Sequence, residues 1–214
     1  MGNFPECRLE PGIVFRNTGV DYFGPIIIKE RRSEVKVYGC LFVCMATRAC
    51  HLELVDDLST DHFIMALKRF TGRRWRPQRI YSDNGTNSVE ANSELLKCLK
   101  QLNKEKVQSF CAPKKIEWNF QPPSAPHFGG TWERLVQCTK KTMKSVLQNR
   151  IVAKEALRTA LVEAEGILNS RPIRHVSSEA GDIEALTPNH FLLLRANPSN
   201  ERPMLVSERS TQRN

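Results

Sequence analysis

The chain has 214 residues, a formal net charge of +9 and an apolar content of 40%. That content is enough for a hydrophobic core, so the composition excludes wholesale disorder, and the length suits one large domain or one domain with tails. The longest apolar stretch, residues 38–46, is far short of the ~20 residues that a membrane-spanning helix needs, and the positive charge favours a polyanionic partner. We therefore expect a soluble, intracellular chain without a signal peptide or membrane span.

The first half of the chain predicts an extended lead-in at residues 1–15, followed by three strands and a helix. The strands are predicted at residues 20–28, with an interruption at Gly24-Pro25, at 35–46 and at 50–55. Because their connections are short, they should form an antiparallel meander. Ser59 can cap a helix N-terminus, and the apolar residues after it recur at helical spacing: Phe63, Ile64, Ala66, Leu67 and Phe70.

The second half alternates strands and helices. It predicts strands at residues 79–82 and 116–120, helices at 91–106, 131–148 and 154–169, and a mobile Pro- and Gly-rich loop at 121–130. The whole order suits an α/β ribonuclease H-like fold, with a five-stranded mixed sheet and helices on both faces. The core of this fold should span residues 16–172, followed by a C-terminal extension at 173–195 and a polar, disordered tail at 196–214.

The seven cysteines carry no sign of a metal site or a disulfide framework. Their number is odd, and they lack paired CxxC spacing and accompanying histidines. Cys40, Cys44 and Cys50 lie in or beside predicted strands, where a cysteine behaves as a small apolar residue. We therefore expect free, buried thiols in a reducing compartment, and no structural zinc.

Three acidic residues stand in informative positions. Asp21 lies inside the first predicted strand, Asp83 directly follows an apolar strand, and Glu133 lies in the first turn of a predicted helix. Each also has an ordinary structural explanation, because both aspartates precede turn sequences and a Glu near a helix N-terminus favours the helix dipole. Together they could provide the oxygen ligands that two hard divalent cations need for phosphoryl transfer on nucleic acid.

The helix predicted to begin near Glu133 carries a basic stripe. No acid follows Glu133 up to residue 150, and its polar side carries Lys140, Lys141 and Lys144. The opposite, apolar side carries Leu135, Val136, Met143, Val146 and Leu147. This pattern favours a metal-binding carboxylate at the head of a helix whose lysines follow a phosphate backbone.

A set of motifs resembles the integrase core of Pao/BEL-type LTR retrotransposons. Over about residues 5–195, the matching segments are VDYFGP (20–25), YGCLF (38–42), ATRACHLE (46–53), YSDNGTN (81–87), PPSAPHFGGTWER (122–134), LNSRP (168–172) and LTPNHFL (186–192). The resemblance implies the retroviral integrase superfamily and its ribonuclease H-like fold. It also implies that Asp21, Asp83 and Glu133 are the D, D, E catalytic triad.

The resemblance further implies a DDE-type integrase that carries out 3′-end processing and strand transfer with two Mg²⁺ or Mn²⁺ ions held by the triad. The implied partners are element ends and target DNA, in a homo-oligomer, with no membrane and no small-molecule cofactor. The chain would be made in the cytoplasm within a polyprotein and act in the nucleus, and the flanking zinc and C-terminal domains of such integrases would lie outside it. Besides the basic stripe, the expected DNA contacts are His127, Asn84, Asn87, Arg73 and Arg74.

Two other functions stay open. Trp75 and Ser88 depart from the family pattern, so the chain could be a catalytically idle DNA-binding or oligomerisation remnant of a decayed element. A ribonuclease H acting on RNA–DNA hybrids would share the fold, but the PPSAPHFGG segment before Glu133 is typical of the integrase branch. His51 and His62 stand in no pattern that predicts a ligand role.

Overall fold

The computed structural model describes residues 13–82, 102–120, 126–173 and 185–194, with the backbone alone for Phe120 and residues 126–133. The strands in these ranges are β1 (Asn17–Glu30), β2 (Ser33–Cys44), β3 (Cys50–Val55), β4 (Arg79–Ser82), β5 (Glu117–Phe120) and β6 (Val152–Ala153). The α-helices are α1 (Thr60–Arg73), α2 (Lys104–Cys111), α3 (Pro126–Leu147), α4 (Lys154–Asn169) and α5 (Pro188–Leu193).

The strands form one mixed sheet in the order β3-β2-β1-β4-β5, with β6 also paired to β1. β1, β2 and β3 form the antiparallel meander that their short connections predict. β4 pairs parallel to β1, and β5 pairs parallel to β4. β6 adds a sixth strand to the predicted five, because its two residues pair with Ile28 and Lys29 but are too few to show a strand period.

Helices cover both faces of the sheet, as predicted. On one face, Val20 and Tyr22 of β1 lie in a core with residues of α1 and α2, among them Phe63, Leu67, Phe70, Val107 and Cys111. On the other face, Phe23 lies in a core with residues of α3 and α4, among them Leu135, Val136, Met143, Leu157 and Leu161. The α/β class is therefore confirmed, since alternate residues of β1 pack against different helices.

Several element boundaries agree with the local signals in the sequence. β3 and α4 span the predicted residues 50–55 and 154–169. Ser59 caps α1, since its side chain accepts a hydrogen bond from the His62 N–H at 3.4 Å. The predicted apolar face of α1 is the buried one: Phe63, Ile64, Ala66, Leu67 and Phe70.

Two predictions for less regular segments are wrong in part. The predicted loop at 121–130 is helical from Pro126 onward, since α3 begins five residues before the predicted start at residue 131. A proline suits a first helical turn because its φ is already helical and its missing N–H would have no partner there. Of the predicted helix at 91–106, the described residues 102 and 103 are not helical, and α2 begins at Lys104, where the Asn103 side chain accepts the Lys106 N–H at 2.9 Å and caps it. Residues 91–101 and 121–125 lie outside the described residues.

The described cysteines agree with the prediction of buried thiols. Cys40, Cys44, Cys50 and Cys111 are free and buried, and Cys138 is free and half-buried. Burial raises the pKa of Cys50 and of Cys111 to about 11, so both thiols are protonated near neutral pH. Within the described ranges, no helix is long and apolar enough to span a membrane.

Candidate active site

Asp21 lies within β1 and faces the α3 side of the sheet. Its direct partner across the β1–β2 pair is Leu41, which belongs to the core beneath α3 and α4. Phe23, two residues further along the strand and therefore on the same face, lies in that core as well. The Asp21 side chain is half-buried, and its Oδ1 accepts the Tyr22 N–H at 2.7 Å. The first predicted acid is thus held on a rigid central strand.

The strand that leads into Asp83 lies directly beside Asp21. β1 and β4 run parallel, with Thr18 opposite Ile80 and Val20 opposite Ser82. Val20 precedes Asp21 in the chain, and Ser82 precedes Asp83. Asp83 itself lies outside the described residues, as do Asn84 and Asn87. The register nevertheless pairs Val20 and Ser82, the residues that directly precede the two aspartates, on neighbouring strands.

Glu133 belongs to α3, and so does His127, which was predicted in a loop. Their side chains lie outside the description, but Leu135 and Val136, one turn or less beyond Glu133, are buried in the core that contains Phe23 and Leu41. The helix that carries Glu133 therefore packs on the face of β1 that carries Asp21. The structure brings the backbone of the third acid to the side of the sheet on which Asp21 lies.

The predicted basic stripe of α3 is exposed. Lys140, Lys141 and Lys144 all lie on the solvent side, while Leu135, Val136 and Met143 are buried on the opposite side. This separation follows the helical period of the sequence. The face of the sheet that carries Asp21 is thus covered by a helix with a row of exposed lysines along its outer surface.

The chemistry of the three acids fits a hard divalent cation. Mg²⁺ and Mn²⁺ prefer carboxylate oxygens, and all three predicted ligands are carboxylates. Among the described side chains, no group of three or more His, Cys, Asp or Glu residues could hold a metal ion. The carboxylates of Asp83 and Glu133 are not among the described side chains. The prediction that the three acids bind metal therefore depends on their donor chemistry and on the arrangement of β1, β4 and α3.

No protein-family model and no curated protein sequence matches the chain. Solved structures match it: the catalytic core domain of BIV integrase has a TM-score of 0.55 and 16% identity, over 84% of this chain and 95% of that chain. A chain of the simian T-cell lymphotropic virus intasome, solved in complex with PP2A regulatory subunit B56 gamma, has a TM-score of 0.58 and 14% identity, over 100% of this chain and 66% of that chain. This chain has the ribonuclease H-like fold of an integrase catalytic core. At these identities the similarity concerns the fold.

Arg73 and Arg74 lie at the end of α1 in this integrase-like core, and both contact carboxylates of the chain. Arg73 Nη1 lies 3.1 Å from Glu53 Oε1, and Arg74 Nη2 forms a short ion pair with Glu165. The Arg73 side chain is 60% exposed, whereas that of Arg74 is only 22% exposed. DNA contact by these arginines stays a prediction, and Arg73 has the more accessible guanidinium.

The two glutamates that hold these arginines also hold His51, and sequence reasoning missed this group. His51 and Glu53 are two residues apart on β3, while Glu165 belongs to α4. The one signal in the sequence is the His-x-Glu spacing, which places both side chains on the same face of a strand. Glu165 lies more than a hundred residues away in the chain, so no local pattern connects it to His51.

Proposed function

We propose that the chain is the catalytic core of a DDE-type integrase from a Pao/BEL-type LTR retrotransposon, a metal-dependent polynucleotidyl transferase that acts on DNA. The observation that carries this proposal is the parallel pairing of β1 and β4, with Val20 opposite Ser82. Asp21 and Asp83 are the residues that follow this pair in the chain. The integrase-core fold and the motifs around each acid support the same assignment.

Asp21, Asp83 and Glu133 are the proposed metal-binding residues. Asp21 offers a half-buried carboxylate on a central strand, and Glu133 belongs to the helix packed over that strand. When bound, Mg²⁺ or Mn²⁺ would lower the pKa of the attacking water or 3′-hydroxyl and stabilise charge on the leaving oxygen. The chain's own part would be to position the carboxylates before the reaction, with Asp21 on a central strand and Glu133 on the helix packed over it, so that little reorganisation precedes the reaction.

The exposed lysines of α3 are the proposed DNA-backbone contacts. Lys140, Lys141 and Lys144 share the helix that carries Glu133, so DNA held along this helix would pass the acids. Point charges of this kind neutralise phosphates without reading bases, which suits an enzyme that joins ends to many target sequences. We propose His127, Asn84 and Asn87 as further contacts, a homo-oligomer as the assembly, and the nucleus as the place of action.

A strand-joining assay tests the proposal. The full chain is incubated with Mg²⁺ or Mn²⁺ and a branched DNA that mimics the integration product, and joined strands are resolved on a denaturing gel. We expect metal-dependent joining that disappears in Asp21→Asn, Asp83→Asn and Glu133→Gln. Glu30→Gln is the matched control, because Glu30 is an exposed acid at the end of the same strand as Asp21.

Two results would contradict the proposal. Full activity in Asp21→Asn would show that another site performs the chemistry. No activity in a folded wild-type chain that binds Mg²⁺ and DNA would identify a catalytically idle remnant, whose remaining role is DNA binding or assembly. Cleavage of RNA–DNA hybrids without DNA joining would favour a ribonuclease H instead.

A further inference from the structure

His51 is buried between two carboxylates. Its Nε2 lies 3.0 Å from Glu53 Oε1, its Nδ1 lies 3.1 Å from Glu165 Oε2, and its side chain is only 3% exposed. Glu53 belongs to β3 together with His51, whereas Glu165 reaches the ring from α4. The imidazole therefore links β3, an edge strand of the sheet, to α4, which covers the face opposite α1.

Two arginines of α1 and the residue that follows this helix contact the same two glutamates. Glu53 Oε2 accepts from Arg69 Nε at 2.6 Å and Glu53 Oε1 from Arg73 Nη1 at 3.1 Å, while Arg74 pairs with Glu165. Glu165 Oε2 also accepts the Leu52 N–H of β3 at 2.8 Å. We call these six residues the edge cluster: His51, Glu53, Arg69, Arg73, Arg74 and Glu165. It joins β3, α1 and α4 at one edge of the sheet.

Among the least exposed members of the edge cluster the charges balance when His51 is protonated, whereas Arg69 and Arg73 add positive charge nearer the solvent. The four least exposed members are His51, Glu53, Glu165 and Arg74. Two of them are anionic, and buried carboxylates are stable only where cations compensate them. From β2, the nearby titratable group is the Cys40 thiol, whose pKa is raised by burial and which is therefore neutral. The aromatic side chains of Phe42 and Phe70 also lie near the ring, and neither titrates.

The geometry around Nδ1 provides a partner for each protonation state. In the protonated imidazolium, Nδ1–H donates to Glu165 Oε2 at 3.1 Å and Nε2–H donates to Glu53 Oε1 at 3.0 Å. Without that proton, Nδ1 can accept from Arg74 Nε, which lies 3.4 Å away, but it has nothing to donate to Glu165. The shorter contact is the one to the carboxylate, so the structure corresponds better to the protonated ring.

We propose that His51 is a pH-sensitive clamp: protonated, it binds Glu53 and Glu165 together and holds β3, α1 and α4 at the sheet edge, and deprotonated, it releases Glu165. Glu53, Arg69 and Arg73 also line a cavity of about 370 Å³ between α1 and α4, together with Leu161 and Val162. The inference is independent of whether the chain acts on DNA.

The direction of the pKa shifts agrees with this clamp. Burial alone would lower the pKa of His51, but the hydrogen bonds to Glu165 and Glu53 outweigh it and raise the pKa above its ordinary value of 6.5. Burial likewise opposes ionisation of the two glutamates, yet their hydrogen bonds to His51 lower both pKa values below 4.5. A raised histidine pKa stabilises the fold below pH 6.5 and loses that effect as the pH rises through the folded pKa. The lowered glutamate pKa values stabilise it above pH 4.5, so the clamp is strongest between pH 4.5 and 6.5.

An NMR titration of the full chain tests the clamp directly. We expect the ring of His51 to titrate above pH 6.5, and the amide signal of Leu52 to follow the same transition because its N–H shares Glu165 Oε2 with His51. In Glu165→Gln the pKa of His51 should fall. In Glu163→Gln it should not change, because Glu163 is an exposed residue of the same helix and is the matched control.

A pH series of chemical unfolding provides the second readout. The stability of the wild type should decline as the pH rises above 6.5, and His51→Gln, whose side chain cannot gain charge, should lose this dependence. A wild-type His51 that titrates at or below 6.5 would overturn the clamp, even if the variants fail to fold. An unchanged pKa of His51 in folded Glu165→Gln would overturn it as well.

Discussion

Asp21 and Glu53 are both acidic residues on strands of one sheet, but their surroundings differ. Glu53 lies on β3, its side chain is 4% exposed, and His51, Arg69 and Arg73 surround its two oxygens. Asp21 lies on β1, is half-buried, and faces the core beneath α3 and α4. The first carboxylate is compensated by cations of the chain itself. The second stands beside the strand that leads into Asp83.

This difference separates an architectural acid from a candidate catalytic one. A buried carboxylate needs a compensating charge, and the edge cluster provides it from within the fold. We propose that Asp21, Asp83 and Glu133 hold metal ions. Substitution of the two kinds of acid should therefore affect different measurements, activity in one case and stability in the other.

The largest expected effect is on the activity of Asp21→Asn. We expect joining of branched DNA to fall by more than about 100-fold, because loss of a residue that merely supports a metal ligand already costs 10–100-fold. The unfolding free energy of this variant should stay within about 0.5 kcal/mol of the wild type, because Asn keeps the Oδ1 that accepts the Tyr22 N–H. A large loss of stability in Asp21→Asn would remove the distinction between the two acids.

Glu53→Gln should show the opposite behaviour. The substitution removes the negative charge that faces buried His51, Arg69 and Arg73, so we expect the unfolding free energy to fall by about 3 kcal/mol. This value is at the low end for a broken buried ion pair, because Arg69 and Arg73 reach solvent. Denaturant unfolding at pH 6 measures this loss. Glu155→Gln is the control, since Glu155 is an exposed partner of Arg158 and should cost less than about 0.5 kcal/mol.

Gly39→Ala should disturb the Asp21 side of the sheet through packing. A Cβ at residue 39 would lie 2.0 Å from Cζ of Phe23, so Phe23, two residues after Asp21, would have to move. Overpacking of this kind costs about 1–3 kcal/mol, and the displaced Phe23 should also reduce DNA joining. Gly72→Ala is the matched control, because a Cβ there meets nothing within 4 Å. Normal activity and stability in Gly39→Ala would show that Phe23 is free to adapt.

The smallest expected effect comes from the lysines of α3. Alanine at Lys140, Lys141 and Lys144 should weaken DNA binding and reduce the slope of log affinity against log salt by about 0.9 for each duplex phosphate contact that is lost. Fluorescence anisotropy with labelled duplex DNA at several salt concentrations measures the slope. Lys104→Ala is the control, because Lys104 is exposed on α2, across the sheet from α3. An unchanged slope in the triple variant would place the DNA elsewhere.

Local physical signals were sufficient for much of the fold. The alternation in residues 50–55 and the helical spacing after Ser59 depend on neighbours in the chain, and both elements form where they were predicted. The α/β class followed from the order of these elements. Pro126 was harder to interpret, because a proline suits a loop and a first helical turn equally well.

The three acids were identified from their motifs, but the fold decides how they relate. The sequence predicts Asp21 inside one apolar strand and Asp83 directly after another, while the parallel register of β1 and β4 makes those strands neighbours. The face on which Asp21 lies follows from its pairing with Leu41, and a shift of one residue would have turned it toward α1.

The edge cluster could be decided only by the tertiary structure. Glu165 meets His51 across more than a hundred residues of sequence, because α4 packs beside the edge strand β3. By itself the sequence determined periodicity, caps and the identity of the chemical groups, since these depend on neighbouring residues. The compensation of each charge depends on contacts between distant segments, and packing of the helices on the sheet decides those contacts.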